Sequence, residues 1–208
     1  MQLCEIDDGG YQVKGVYQLD AKYKDVHLTD NYELKIIIPP DYPDNLPTVF
    51  ELSDKIPKEF DHVFTDGSLC LGVRTELMRD SKRGMDIKGF LGKYINSYLF
   101  SVTFFVKYNG AYPFGERSHG ATGILEFYME IFNVITTEQT LELMVYICRD
   151  NYRGHALCPC KSGERIRKCH GEILLLLIKE RIVDNVLQDI YLITRELEEW
   201  KKAVPKSR

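Results

Sequence analysis

The stretch "NYELKIIIPPDYPDNLPTVFEL", Asn31 to Leu52, decides the fold. Its first half is rich in β-branched and aromatic residues, with Tyr32, Leu34 and Ile36 at alternate positions, and so reads as a strand. Four prolines, at 39, 40, 43 and 47, then interrupt it. None of them can donate to a sheet ladder, so "PPDYPDNLP" cannot continue a central strand and is expected to be a stiff extended connection. "TVFEL", Thr48 to Leu52, resumes the strand pattern beyond it, and "YQVKGVYQLDAKY", Tyr11 to Tyr23, supplies another before it. The three segments together predict an antiparallel meander.

Downstream the period changes. The turn-rich "TDGSLCLG" at 65 to 72 precedes "RTELMRDSKRGMD" at 74 to 86, whose charge density predicts an exposed loop. From Ile87, the residues Phe90, Leu91, Tyr94, Ile95, Tyr98, Leu99, Val102 and Phe105 recur at helical spacing, so one face of a helix must be buried. A loop carrying Gly110, Pro113, Gly115 and Gly120 leads to two further helical patterns. The second of these opens on Thr136 with Gln139 three residues later, a capping-box signature. Cys148 lies on its apolar side and reads as a packed core thiol. The order of strands, cysteine-bearing loop, helices, cysteine cluster and final helix predicts an α+β fold. Three parts are expected: a domain over 1–150, a small cysteine-rich module over 151–171 and a C-terminal helix over 172–208.

A chain of 208 residues can bury roughly 70% of its unfolded surface, so it needs no disulfide staples. The net charge of −4 argues against adaptation of the whole chain to nucleic acid. The acidic opening "MQLCEIDDGG" does not resemble a signal peptide, and "ILLLLI" at 173 to 178 is far too short to span a bilayer, so a cytoplasmic protein with no membrane partner is expected.

Three of the six cysteines crowd into "CPCKSGERIRKCHG". In a reducing cytosol such a cluster points to a metal. Cys158, Cys160, Cys169 and His170 offer three thiols and an imidazole, the four soft or borderline donors that Zn2+ takes tetrahedrally. Four protein ligands leave no open position for water, so a structural ion is expected. Lys161, Arg165, Arg167 and Lys168 would offset the negative charge of three thiolates, while His155 stands outside the set. The stretch resembles the SEC-C motif, whose usual form has glycine where Lys161 stands here. That resemblance implies an accessory, partner-binding module.

The remaining cysteine of interest is Cys70, in "HVFTDGSLCLGV". Taken alone it reads as a small strand residue packed between Leu69 and Leu71. With the strands, Pro39, Tyr42, Pro43 and Pro47, then His62 and "DGSLCLG", the order of features resembles the ubiquitin-conjugating enzyme family. The resemblance implies a UBC-like fold over most of residues 10–150, with Cys70 accepting a protein C-terminus as a thioester and passing it to an amine. His62 matches the histidine of the family's His-Pro-Asn motif. Val63 and Phe64 stand in place of its proline and asparagine, so the usual oxyanion support is missing. His119, in "PFGERSHGATG", is read either as a group assisting amine deprotonation or as part of a loop-to-helix capping segment.

These departures resemble divergent bacterial conjugating-like proteins of antiphage operons, such as those of cyclic-oligonucleotide (CBASS) signalling. Such a resemblance implies a protein substrate, either the C-terminus of a cGAS-like nucleotide cyclase or a ubiquitin-like protein, and an activating enzyme as a further partner. The rival reading is a non-catalytic adaptor that docks partners through its zinc module and C-terminal helix. The apolar stripe from Ile173 to Trp200 predicts one long helix, packed on the helical half of the chain or used for homo-oligomerisation.

Overall fold

The computed structural model describes residues 1–114, 118, 120–149 and 151–203, the last five as backbone. The fold is mixed α and β, as expected, and it divides into two compact units. One comprises Met1–Gly72 and Asp80–Glu116, the other Val73–Arg79 and Arg117–Arg208.

The first unit is built on a four-stranded antiparallel sheet in the order β1 (Gln2–Glu5), β2 (Tyr11–Tyr23), β3 (Val26–Ile38) and β4 (Thr48–Glu51). Register explains the alternation read from the sequence. Val13 sits opposite Ile36, and Ile36 opposite Val49, so these side chains share the covered face. On the other face lie Lys14, Asp20, Glu33 and Lys35, with the Lys35 ammonium 4.1 Å from the centre of the Phe50 ring. Strand β1 was not legible beforehand. All four of its residues are exposed, and it is a strand only because its backbone pairs with β2.

A helix runs across the covered face, made of α2 (Ile87–Phe90), a π-helical turn (Leu91–Ile95) and α3 (Asn96–Lys107). Asp86 caps it by accepting the Gly89 N–H at 2.7 Å. Tyr17 donates to Asn96 Oδ1 (2.7 Å), and the Tyr32 and Thr103 hydroxyls bond at 2.8 Å, so the polar ends of the two sheet tyrosines are satisfied by the helix. Ile36, at 1% exposure, is part of this core. Ile36→Val is expected to cost about 1 kcal/mol, read as a lower urea midpoint with an unchanged slope.

Two expectations for the chain up to Lys82 are corrected. The proline segment is turned rather than extended: Tyr42 N–H bonds Pro39 O (3.2 Å) and Asp44 N–H bonds Asp41 O (2.7 Å). The Tyr42 hydroxyl donates to Met85 O at 2.6 Å. The charged stretch after Cys70 is helical, α1 (Arg74–Lys82), because Thr75, Leu77, Met78 and Ser81 recur on one side and are buried. Two of those four are polar, which disguised the helical period.

The second unit is helical: α4 (Gly120–Phe132), α5 (Thr137–Ile147), α6 (Gly171–Lys179) and α7 (Val183–Ala203). Thr136 caps α5 as predicted, accepting the Gln139 N–H at 3.2 Å. Cys148 packs at the edge of this core, and burial, reinforced by Asp184, pushes its thiol up to about 11. The expected single C-terminal helix is two. The chain turns at Arg181, whose φ is +54°, and Arg181 N–H bonds back to Ile178 O at 3.1 Å. No described helix is long and apolar enough to cross a membrane.

Candidate functional site

The four residues singled out for a metal converge. The donor atoms of Cys158, Cys160, Cys169 and His170 all lie within 4.8 Å of one another. Cys158 Sγ is 3.3 Å and Cys169 Sγ 3.1 Å from His170 Nδ1, and Cys160 Sγ is 3.5 Å from Cys169 Sγ. A tetrahedral ion with metal–sulfur bonds of about 2.3 Å and metal–nitrogen bonds of about 2.0 Å would set its ligands roughly 3.5–3.8 Å apart. The observed spacings lie around that range, so the donor set fits a metal ion.

The local backbone explains the convergence. Leu157 and Arg165 form a short antiparallel bridge, with Cys158 N–H bonded to Glu164 O at 2.8 Å. Lys161, at φ +62°, closes the turn after Cys160. A 3-10 turn (Ile166–Lys168), anchored by fully buried Ile166, then brings back Cys169 and His170 at the start of α6. His170 Nε2 lies 2.9 Å from Phe132 O. That carbonyl can only accept, so it fixes the proton on Nε2 and leaves the Nδ1 lone pair turned toward the sulfurs. Gln139, besides its place in the cap, donates from Nε2 to Cys160 O at 2.9 Å and ties α5 to the cluster.

The thiols are not equivalent. Burial pushes Cys158 up to about 12. Burial also opposes ionisation of Cys160, but hydrogen bonds from the Ser162 side chain and backbone draw it down to about 6. A metal ion competes with protons for these sulfur lone pairs and displaces them on binding. Of the basic residues between the pairs, Lys161 is engaged elsewhere, 2.5 Å from Glu138 Oε1, and Arg165 donates to His155 O at 2.9 Å.

Cys70 lies in the other unit. Asp66 and Gly67 turn the chain, with the Asp66 carboxylate accepting from Ser68 N–H (2.9 Å) and Ser68 Oγ (2.6 Å). Ser68 then bridges Phe50, and Leu69 N–H bonds Val49 O at 2.8 Å, so the segment adds itself to the edge of β4. Leu69 is buried and Leu71 partly buried against the sheet core, which leaves Cys70 between them half-buried. Its amide bonds His62 O at 2.8 Å, and that carbonyl also accepts from the Tyr98 hydroxyl at 2.9 Å. Burial pushes the Cys70 thiol above its ordinary value, partly offset by a hydrogen bond from the Gly72 backbone.

His62 therefore meets Cys70 through its backbone. Its ring sits among aromatics, 5.1 Å from Phe60 and 6.0 Å from Tyr112 between centroids. Tyr98 escaped the sequence reading, where it was one more apolar position on a helix. Nothing in the local pattern marks it as the partner of a carbonyl 36 residues away. His119 lies outside the described residues. Beside it, Ser118 donates from its amide and hydroxyl to Glu126 (3.2 and 2.7 Å), a cap on α4. A Cβ on Gly123 would stand 1.8 Å from Ser118 O, so this cap needs glycine there.

Set against protein-family models, curated proteins and solved structures, the chain matches none of them.

Proposed function

We propose that the chain is a conjugating-type acyl carrier with a UBC-like first domain, which holds a protein C-terminus as a thioester on Cys70 and delivers it to an amine. The observation that carries this reading is the placement of Cys70 on a strand-like segment at the edge of the sheet. Both neighbouring leucines join the sheet core, while Cys70 is half-buried outside that cluster. In the first step the Cys70 thiolate attacks the carbonyl carbon of an activated donor, the C–S bond forms and the donor's leaving group departs. In the second, an amine attacks the thioester, the C–N bond forms, the C–S bond breaks and the amine gives up a proton. The Cys70 amide is already engaged with His62 O, so it is not free to stabilise the oxyanion. Those donors come from elsewhere.

The acyl donor is a cGAS-like nucleotide cyclase or a ubiquitin-like protein in antiphage defence, loaded with the help of an activating enzyme. Cys158, Cys160, Cys169 and His170 hold a structural Zn2+ in a SEC-C-like module. The left-handed backbone at Lys161 supports that likeness, since the motif's usual glycine belongs at such a φ. Intact mass measurement of the protein expressed with its neighbouring genes tests the enzyme. A reductant-sensitive adduct is expected on wild type, a stable oxyester on Cys70→Ser and none on Cys70→Ala; an adduct that persists on Cys70→Ala would sink the proposal.

The raised Cys70 thiol favours one rival, a non-catalytic adaptor, because a thiol protonated at neutral pH is a slow nucleophile. Under that reading Cys70→Ala leaves biological activity intact. In both, iodoacetamide should modify Cys70 more slowly than it modifies a free cysteine peptide at pH 7.5. The rate should keep climbing with pH beyond the point where the peptide's rate levels off, because burial raises this thiol and only the thiolate reacts.

A further inference from the structure

One feature of the Cys/His cluster is not required by a structural ion. Cys158 and Cys160 are buried, at 4% and 2%, whereas Cys169 is exposed. A groove of roughly 470 Å³ opens on Cys169 and His170, its other walls formed by Phe132, Asn133, Glu172, Ile173 and Leu176. Leu176 is 39% exposed at its rim. Cys160 Sγ lies 3.5 Å from Cys169 Sγ, and Ser162 Oγ lies 3.4 Å from it.

We propose that Cys169 is a modification site for small apolar hydroperoxides, which enter along this groove and convert the Cys160–Cys169 pair to a disulfide with release of the bound metal ion. The Cys169 sulfur attacks the terminal oxygen of the hydroperoxide ROOH. The O–O bond breaks, the alcohol ROH leaves after taking a proton, and Cys169 becomes a sulfenic acid. The Cys160 sulfur then attacks the Cys169 sulfur, an S–S bond forms, and the hydroxyl leaves as water with a second proton. Two thiolates lose two electrons in all, and the hydroperoxide gains them. A disulfide sulfur is a poor metal ligand, so the ion keeps only Cys158 and His170 and dissociates. Attack through Cys169 rather than Cys158 follows from exposure, and disulfide closure on Cys160 follows from proximity.

The inference rests on the cluster holding a metal, and the test separates the two. Full-length protein loaded with Zn2+ is treated with cumene hydroperoxide and, separately, with hydrogen peroxide. A chromogenic chelator follows metal release, thiols are counted, and the disulfide is located by peptide mapping. One equivalent of hydroperoxide is expected to remove two thiols and release one ion, with the bond at Cys160–Cys169. Normalised to a free thiol, cumene hydroperoxide should react about tenfold faster than hydrogen peroxide, the effect of burying roughly 55 Å² of apolar surface in the groove. Leu176→Asp, in the groove wall, should abolish that preference. Equal normalised rates in the unaltered protein, a disulfide at any other pair, or thiol loss without metal release overturns the proposal. A protein that takes up no Zn2+ defeats the metal reading and this proposal with it, whereas a Zn2+-loaded protein that keeps its ion and its thiols under hydroperoxide defeats this proposal alone.

Discussion

With Zn2+ loaded at Cys158, Cys160, Cys169 and His170 as proposed, stripping it with a strong chelator is expected to lower the thermal midpoint by about 10 °C or more, with recovery when Zn2+ is returned. The reason lies in how little else holds the segment. Of residues 151–170, only Cys158, Cys160 and Ile166 are buried, so the loop has almost no core of its own. A structural Zn2+ contributes about 10–16 kcal/mol of apparent binding energy in isolated zinc-finger peptides. In this chain α6 is also held by packing, its Leu174 and Leu177 fully buried, so an ion bound at the cluster would not be its sole support. Cys158→Ser should reproduce the loss and reduce metal content below one ion per chain. Cys148→Ser, at a packed thiol outside the cluster, should keep the full ion. Equal midpoints with and without the chelator, in protein shown by elemental analysis to have been loaded, would rule out a structural role.

What the sequence revealed depended on how local the cause was. The cluster was legible because its four donors fall within a thirteen-residue span, and a loop that short has few ways to keep them apart. Strands β2 and β3 were legible because one face is covered and the other is wet, which writes a period of two into the chain. Strand β1 carries no such pattern, since its whole burial is backbone pairing. Helix α1 was missed because the buried side of a highly charged stretch includes Thr75 and Ser81. The break between α6 and α7 was hidden for the opposite reason: the apolar stripe continues through Ile182, while the turn is made by Glu180 and Arg181, which look like ordinary solvent-facing positions. At Cys70 the residue itself stood out, but its environment did not, because Phe60, Tyr98 and Tyr112 gather around His62 only after the helix folds onto the sheet.

The same limit concealed Asp189, a carboxylate in the apolar stripe of α7 that is 4% exposed. It accepts from Thr75 Oγ1 on α1 at 2.5 Å and from the Tyr128 hydroxyl on α4 at 2.9 Å, joining three helices of the second unit. Burial pushes its carboxyl above the ordinary carboxylate range, and the two hydroxyls and the nearby Arg74 only partly counter this. A carboxyl raised on folding binds its proton more tightly in the folded chain. Its contribution to stability is therefore complete below the unfolded value near pH 4 and is lost as pH climbs through the folded value. Asp189→Asn keeps an acceptor oxygen for both hydroxyls and never ionises, so it should match the wild type at low pH and be the more stable protein at neutral pH. Asp189→Leu removes the acceptor and strands Thr75 and Tyr128 in the core, at a cost of about 1–3 kcal/mol for each buried hydroxyl left unpaired. Urea titrations of the three proteins at pH 4.5 and pH 7.5 distinguish the terms. If the Asp189→Asn difference did not grow with pH, the buried carboxyl would not be the titrating group; if Asp189→Leu were as stable as wild type, the network would not hold the helices together.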